Sequence, residues 1–339
     1  METSATKPQL EAGGSMPTAE QAYFRPQLEQ RRERLLSALH SSADASLSHL
    51  LSEVDAALAR LDKGTYGICE TCHDPVERER LLNDPLVRFC LDHLTGEEQR
   101  ALESDLELAA RIQKGLLPPP ELSAAGWQVR YHYEPAGPVS GDYCDVLESD
   151  GGLLFLFGDV SGKGVAASML MSHLHATFRS LARANLPLQR MVEAANRIFS
   201  ESTLAGQFAT LVVGRAREDG IVEFVSAGHL PVLHLGRNEA KSEGATGVPL
   251  GMFTNSHFPV HQLSLRSGEA LLIYSDGLTE ACNAVSEEYG INRIKEAAQR
   301  HYAAAPDHLI GGCLSDLQSF AAGTKRTDDL SLLLLRRAA

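Results

Sequence analysis

The sequence predicts an α+β chain: two antiparallel sheets packed face to face and flanked by helices, preceded by a short helical hairpin with a zinc finger. Three observations predict it. Strand-like runs dominate from Trp127 onward and are joined by short turns, which favours antiparallel pairing over a doubly wound nucleotide fold. Helical stretches between those runs carry apolar residues at three- and four-residue intervals and so read as outer layers. In the N-terminal third, Cys69 and Cys72, then seventeen residues, then Cys90 and His93 have the paired spacing of a zinc site.

Composition narrows the class. The 339 residues, 43% of them hydrophobic, suit two domains or one large domain with an extension. A formal net charge of -13 disfavours nucleic acid or anionic lipid as a partner. Apolar runs such as Leu153 to Phe157 are strand-length, and no charged-then-apolar leader opens the chain, so a cytoplasmic protein without membrane spans is expected. Six cysteines in a chain this long do not make a disulfide scaffold.

Residues 1–20, rich in Gly, Ser, Thr, Pro and Glu, read as a disordered tail. Residues 21–95 form the first folded segment. Phe24, Leu28, Leu35 and Leu39 recur at helical spacing, the chain breaks at Ser41 to Ser46, and Leu47, Leu50, Val54, Leu58 and Leu61 resume the rhythm. This predicts an antiparallel hairpin running into the knuckle GTYGICETC. Cys69, Cys72, Cys90 and His93 then offer four N and S ligands for one tetrahedral zinc, either structural or, through its thiolates, responsive to oxidants.

The segment RLDKGTYGICETCHDPVERERLLNDPLVRFCLDHL resembles the zinc finger of the DksA/TraR family in its Gly-x-Tyr-Gly-x-Cys opening and its Arg-Leu-x-x-x-Pro middle. It departs from the usual four-cysteine version by placing His93 at the last ligand position. Better-known members of that family insert an acidic hairpin tip into the secondary channel of RNA polymerase. Here the break SSADAS offers Asp44 alone.

Residues 96–120 place Leu102, Leu106, Ala109, Ile112 and Leu116 on one helical face that stops at the prolines from Pro118. This linker helix either caps the following domain or supplies an apolar seam for a parallel homodimer.

Residues 121–339 carry the strands WQVRYHY, LLFLFGDV, FATLVVGRA, IVEFVSAG, PVLHL, FPVHQLSL, EALLIYS and LSLLLL. Helical stretches fall at about 164–184, 188–202, 291–304 and 307–322. Four aspartates stand where the chain leaves or enters an apolar strand: Asp142 in VSGDYCD, Asp159 in LLFLFGDVSGKG, Asp276 in LLIYSDGLTEA and Asp328 in TDDLSLLLL. One such aspartate alone is more often a turn former or cap than a ligand. Several pointing one way are costly unless they share a cation. Oxygen ligands without cysteine or paired histidine favour Mg or Mn, and two such ions can acidify a shared water for an in-line phosphoryl displacement.

The ordered motifs ELAARIQKGLLP, PVSGDYCDV, GDVSGKGVAASMLM, FATLVVG, SAGHLPVL, GVPLGMF, LLIYSDGLTEA and TDDLSLLLLR resemble the PPM family of metal-dependent Ser/Thr protein phosphatases, in its SpoIIE/RsbU-like branch. The resemblance covers about residues 106–336 and implies an α-β-β-α sandwich with two Mn or Mg ions. Carried over by motif, Asp159 would bridge the ions, the Val160 carbonyl would complete one shell, and Asp276 with Asp328 would bind the other. Asp142 would hold the second metal or its water, and Asp329 would support the ligands. The implied catalytic residues are Asp159, Asp276 and Asp328.

The implied reaction is hydrolysis of phosphoserine or phosphothreonine on a protein by metal-activated water. The implied substrate is a phosphorylated STAS-type anti-sigma-factor antagonist in a partner-switching pathway, with the zinc domain as input. The alternative is a non-catalytic regulator, either a pseudophosphatase scaffold or an RNA polymerase-binding zinc-finger protein.

GDVSGKG is not a Walker loop, because three residues separate Gly158 from Gly162 and Gly164 stands where Ser or Thr is required. Lys163 reads as a solvated turn lysine, and His229 as a loop support or a general acid. His173 and His175, two apart on a helix, face different directions and read as structural or surface residues. Cys144, Cys282 and Cys313 have no visible activating partner, which disfavours a cysteine nucleophile.

Overall fold

A computed structural model of the protein describes residues 18–39, 45–149, 151–184, 186–204 and 206–338. Residues 1–17 of the segment read as a tail, and Asp44 in the SSADAS break, lie outside them. The chain divides into two compact units, Met1–Ser104 and Asp105–Ala339.

In the first unit, α1 (Thr18–Leu39) and α2 (Ala45–Lys63) form the antiparallel hairpin. Arg25 meets Asp62 at 2.7 Å and Arg32 meets Asp55 at 2.6 Å, which sets the register. The helix starts at Thr18, inside the stretch read as tail. Phe24, Leu28 and Leu35 pack against Val54 and Leu61, which the apolar rhythm picks out, and against Ala57, which it does not, while Leu47, Leu50 and Leu58 are only partly buried. Tyr66, Val76 and Leu81 join the same core, so hairpin and knuckle share one interior.

The chain continues through α3 (Arg78–Asn83) to α4 (Gly96–Leu116), which crosses the boundary between the units. Thr95 and Glu98 form a capping box at its start: the Glu98 N–H donates to Thr95 Oγ1 at 3.2 Å and the Thr95 N–H to the Glu98 carboxylate at 2.9 Å. It ends before Pro118, which cannot continue a helix.

The second unit opens with β1 (Glu121–Ala124), β2 (Trp127–Glu134), β3 (Asp142–Ser149) and β4 (Gly152–Val160). Then come α5 (Gly164–Ala182), α6 (Leu188–Ser202), β5 (Ala209–Arg217), β6 (Ile221–Ala227), β7 (Val232–Leu235) and β8 (Ala240–Glu243). The chain closes with β9 (His261–Ser264), β10 (Ala270–Tyr274), α7 (Asp276–Thr279), α8 (Gly290–Arg300), α9 (Pro306–Phe320) and β11 (Leu330–Arg337). One sheet runs β1-β2-β11-β10-β7-β8 and the other β3-β4-β5-β6-β9, with antiparallel neighbours throughout.

Four layers follow from side-chain alternation. On β4, Leu153, Phe155 and Phe157 point between the sheets, while Leu154 and Leu156 pack under α5 and α6. On β11, Leu333 and Leu335 face inward, while Leu332 and Leu334 pack under α8 and α9. A strand buried on both faces needs apolar residues at every position, hence the unbroken runs LLFLF and LLLL. Cys144 lies in the inter-sheet core and Cys313 in the layer under α9. No helix among the described residues is long and apolar enough to cross a membrane.

Candidate functional site

Strand pairing brings the aspartates toward one edge. β10 and β11 are antiparallel neighbours, so Asp276, just past the end of β10, lies beside Asp328, just before β11. Ser275 staples this junction: its hydroxyl donates to the Asp329 carbonyl at 3.2 Å and accepts the Ser331 N–H at 3.0 Å. A Cβ on Gly277 would collide with the Asp329 carbonyl, so the glycine permits close approach of α7 to β11. Gly277→Ala is expected to cost about 1–3 kcal/mol of stability by overpacking. Thermal melts of the variant beside the wild type read this cost as a lowered melting temperature.

In the other sheet, Asp142 on β3 stands directly opposite Asp159 on β4. Like charges so placed repel. Asp159, Asp276 and Asp328 line one pocket of about 370 Å3, with Glu280, Lys163 and His229 also on its wall. Asp142 does not line it; it is buried beside Asp159, and its Oδ2 has no hydrogen-bond partner among the described residues. A Cβ on Gly141 would lie 3.0 Å from both Asp159 Oδ1 and the Val160 carbonyl oxygen. Those two oxygens therefore face one spot that the glycine keeps open.

Burial, then the neighbouring Asp276 and Asp328 charges, push the Asp159 carboxyl up to about 7. Burial and Asp328 raise Asp276, and burial with Asp159 raises Asp142 well above the carboxylate range. Asp329, adjacent to Asp328, is differently engaged: its carboxylate accepts the Ala136 N–H at 2.7 Å, the Ser140 hydroxyl at 2.6 Å and the Gly141 N–H at 3.1 Å. It thereby holds the loop that leads into Asp142. Gln113 on α4 grips the same loop, donating to the Ser140 carbonyl at 2.7 Å and accepting the Ser140 N–H at 3.0 Å.

Lys163 departs from its sequence expectation, whereas His229 takes the supporting role that is one of its two readings. Lys163, read as a solvated turn lysine, places Nζ 2.8 Å from Asp328 Oδ2 and donates to the Thr327 carbonyl at 3.0 Å. His229 is not poised as a general acid. Its Nε2–H donates to the Tyr274 carbonyl at 3.2 Å, which leaves Nδ1 to accept the Thr210 hydroxyl at 2.9 Å. Burial lowers its pKa to about 4, so the ring is neutral at physiological pH and bridges the two sheets.

His173 stacks on Phe199. His175 lies beside Tyr143 and 3.6 Å from the buried Asp145, which Arg179 on α5 grips through two 2.7 Å hydrogen bonds. Glu280 was not singled out from the sequence, yet SDGLTE places it one helical turn beyond Asp276, a spacing that predicts a shared face.

In the first unit, Cys69, Cys72, Cys90 and His93 gather with their ligand atoms all within 4.8 Å of one another. Cys90 Sγ is 3.7 Å from Cys72 Sγ and 3.3 Å from His93 Nδ1. The knuckle is tied by Cys69 N–H to the Asp74 carbonyl at 2.8 Å and by His73 N–H to the Cys69 carbonyl at 3.0 Å, with His73 at a φ of 64°. Burial would raise the Cys69 thiol, but N–H groups of Cys72, Cys90 and Thr71 aimed at its sulfur outweigh it and bring it down to about 6. Among the described residues no three aspartate oxygens gather as tightly as this cluster.

Two antiparallel sheets between helix pairs, with carboxylates at one edge, define the PPM-type (PP2C-like) phosphatase fold. The chain belongs to the family of stage II sporulation protein E (SpoIIE), which it matches over residues 149–338. It also matches the prokaryotic dksA/traR C4-type zinc finger over residues 64–92.

Protein IcfG of Synechocystis sp. is 27% identical over 263 residues, covering 69% of this chain and 41% of IcfG. Phosphoserine phosphatase RsbU of Bacillus subtilis is 24% identical over 245 residues, covering 70% of this chain and 72% of RsbU. The chain thus spans less than half the length of the first relative. The SiaA-PP2C domain of Pseudomonas aeruginosa superposes with a TM-score of 0.64 at 16% identity, over 72% of this chain and 99% of that domain, a likeness of fold.

Proposed function

We propose that this chain is a metal-dependent protein serine/threonine phosphatase. The observation that carries the reading is the gathering of Asp159, Asp276 and Asp328 on one pocket, where their mutual repulsion would be relieved by a divalent cation. The fit is supported by the orphaned Oδ2 of Asp142 and by the open spot that Asp159 Oδ1 and the Val160 carbonyl share beside Gly141. An all-oxygen donor set suits Mg or Mn. Asp159 would bridge two such ions, the Val160 carbonyl would complete one shell, Asp276 and Asp328 would hold the other ion, and Asp142 would serve the second ion or its water.

Bound there, the ions supply an acidified water and neutralise phosphoryl charge. The protein's own residues orient and polarise around them. Neutral His229 locks Thr210 to Tyr274 across the sheets, Asp329 and Gln113 hold the loop before Asp142, and Lys163 brings a positive charge to the pocket beside Asp328.

The substrate in this reading is a phosphorylated STAS-type anti-sigma-factor antagonist, as the SpoIIE/RsbU-like motifs imply and the similarity to phosphoserine phosphatase RsbU supports. The Cys/His cluster fits one zinc, and the unit around it is the input module, joined to the catalytic unit through α4. Leu102, Leu106, Ala109, Ile112 and Leu116 on α4, of which Leu102 and Ile112 are exposed, offer the seam for a homodimer.

With Mn, the protein should hydrolyse both an aryl phosphate and a phosphorylated STAS protein encoded in the same genome, and Asp276→Asn should lose both activities. Mn-dependent hydrolysis that survives Asp276→Asn would contradict the site. Hydrolysis of neither substrate by the wild type would favour a non-catalytic regulator.

A further inference from the structure

A groove of about 740 Å3 adjoins the candidate active site, and Glu280 and Asp328 line both. We propose that this groove binds the polypeptide of the phosphoprotein substrate immediately beside the phosphorylated residue, and so selects which protein is dephosphorylated. The proposal rests on the phosphatase reading and extends it from the reacting phosphate to its carrier.

Continuity is the first argument. A phosphoserine side chain in the pocket leaves its own main chain at the pocket mouth, and an extended chain advances about 3.3 Å per residue. The flanking residues therefore reach the neighbouring groove within one or two positions. No other part of a phosphoprotein is so constrained to lie there.

The lining is the second argument. Ala136, Ala281, Ala321, Leu317 and Leu330 make the floor small and apolar, which leaves room for side chains of the bound segment. Arg326 on the wall is already engaged, meeting Glu134 at 3.0 Å and donating to the Pro135 carbonyl at 2.9 Å. Lys325 is exposed and has no ion pair among the described residues. Glu280 stands where the two cavities meet and disfavours an acid next to the phosphoresidue. The segment that fits is thus short and apolar, with an acidic residue at the Lys325 end.

Pre-organisation is the third. The 321–327 loop is fastened at both ends: Thr324 Oγ1 lies 2.7 Å from the Cys282 and Ala321 carbonyls, and Arg326 ties the far side to Pro135. A groove already formed spends little binding energy on ordering itself.

Two variants test the inference without touching the aspartates. Ala322→Trp fills the groove from an exposed position, and Lys325→Glu reverses the rim charge. In each, the KM for the phosphorylated STAS protein should rise about tenfold or more. The kcat and the hydrolysis of an aryl phosphate should stay at wild-type values, because binding common to ground and transition states is lost.

An unchanged KM in both variants, or an equal loss on both substrates, overturns the groove assignment while leaving the phosphatase reading standing. A wild type that hydrolyses neither substrate removes the phosphatase reading, and the groove assignment with it.

Discussion

Asp159→Asn should reduce Mn-dependent hydrolysis by about a thousandfold or more while making the metal-free protein more stable. The two effects have one cause. In the metal-free chain, burial and the Asp276 and Asp328 charges push the Asp159 carboxyl up to about 7, so its ionised form is held against repulsion.

A carboxyl whose folded pKa is raised contributes stability that is fully present below its unfolded value of about 3.9 and is lost as the pH rises through about 7. The metal-free wild type should therefore lose stability between about pH 4 and 7 through this group, and Asp159→Asn should lack that component. Mn should restore the wild type at pH 8 by binding the ionised carboxylates, and should restore the variant far less. Thermal melts across pH with and without Mn, beside an aryl phosphate assay, read all three. A metal-free variant that melts below the wild type at pH 8 would sink the electrostatic account.

Cys69→Ser should abolish zinc binding and unfold the knuckle, leaving hydrolysis by the second unit in place. Cys69 is fully buried among Tyr66, Val76, Leu81 and Cys90 in the small core of the first unit. Structural zinc contributes on the order of 10 kcal/mol to such modules, more than a short hairpin and knuckle can supply by burial alone. The core of the second unit draws on different residues, including Phe155, Phe157, Leu333 and Leu335. Metal analysis should fall from one zinc per chain to none, and protease should cut within residues 45–104. Aryl phosphate hydrolysis should persist, and zinc retained at full occupancy would contradict the ligand set.

Most of the architecture was legible because its signals are local. The run LLFLF reads as a strand buried on both faces, and the DksA/TraR-like spacing reads as a knuckle, without knowledge of any partner. The short strands β1 and β8 and the helices α3 and α7 were not read, because four to six residues carry too little periodicity to separate from turn chemistry. β3 was hidden for another reason: DYCDVLES mixes buried carboxylates with apolar residues, and Asp145 is tolerated there only because Arg179 reaches it from α5.

The aspartates show the same division. Their positions at strand ends, their motifs and the donor chemistry they offer are properties of the chain order, and the sequence by itself determined them. Which of them meet is a property of strand pairing. The structure puts Asp159, Asp276 and Asp328 on one wall and buries Asp142 beside it, turns Asp329 toward the 136–141 loop, ties Lys163 to Asp328 and leaves His229 neutral between Thr210 and Tyr274. Charge, burial and hydrogen-bond partners are set by residues distant in sequence, and only the packed sheets decide them.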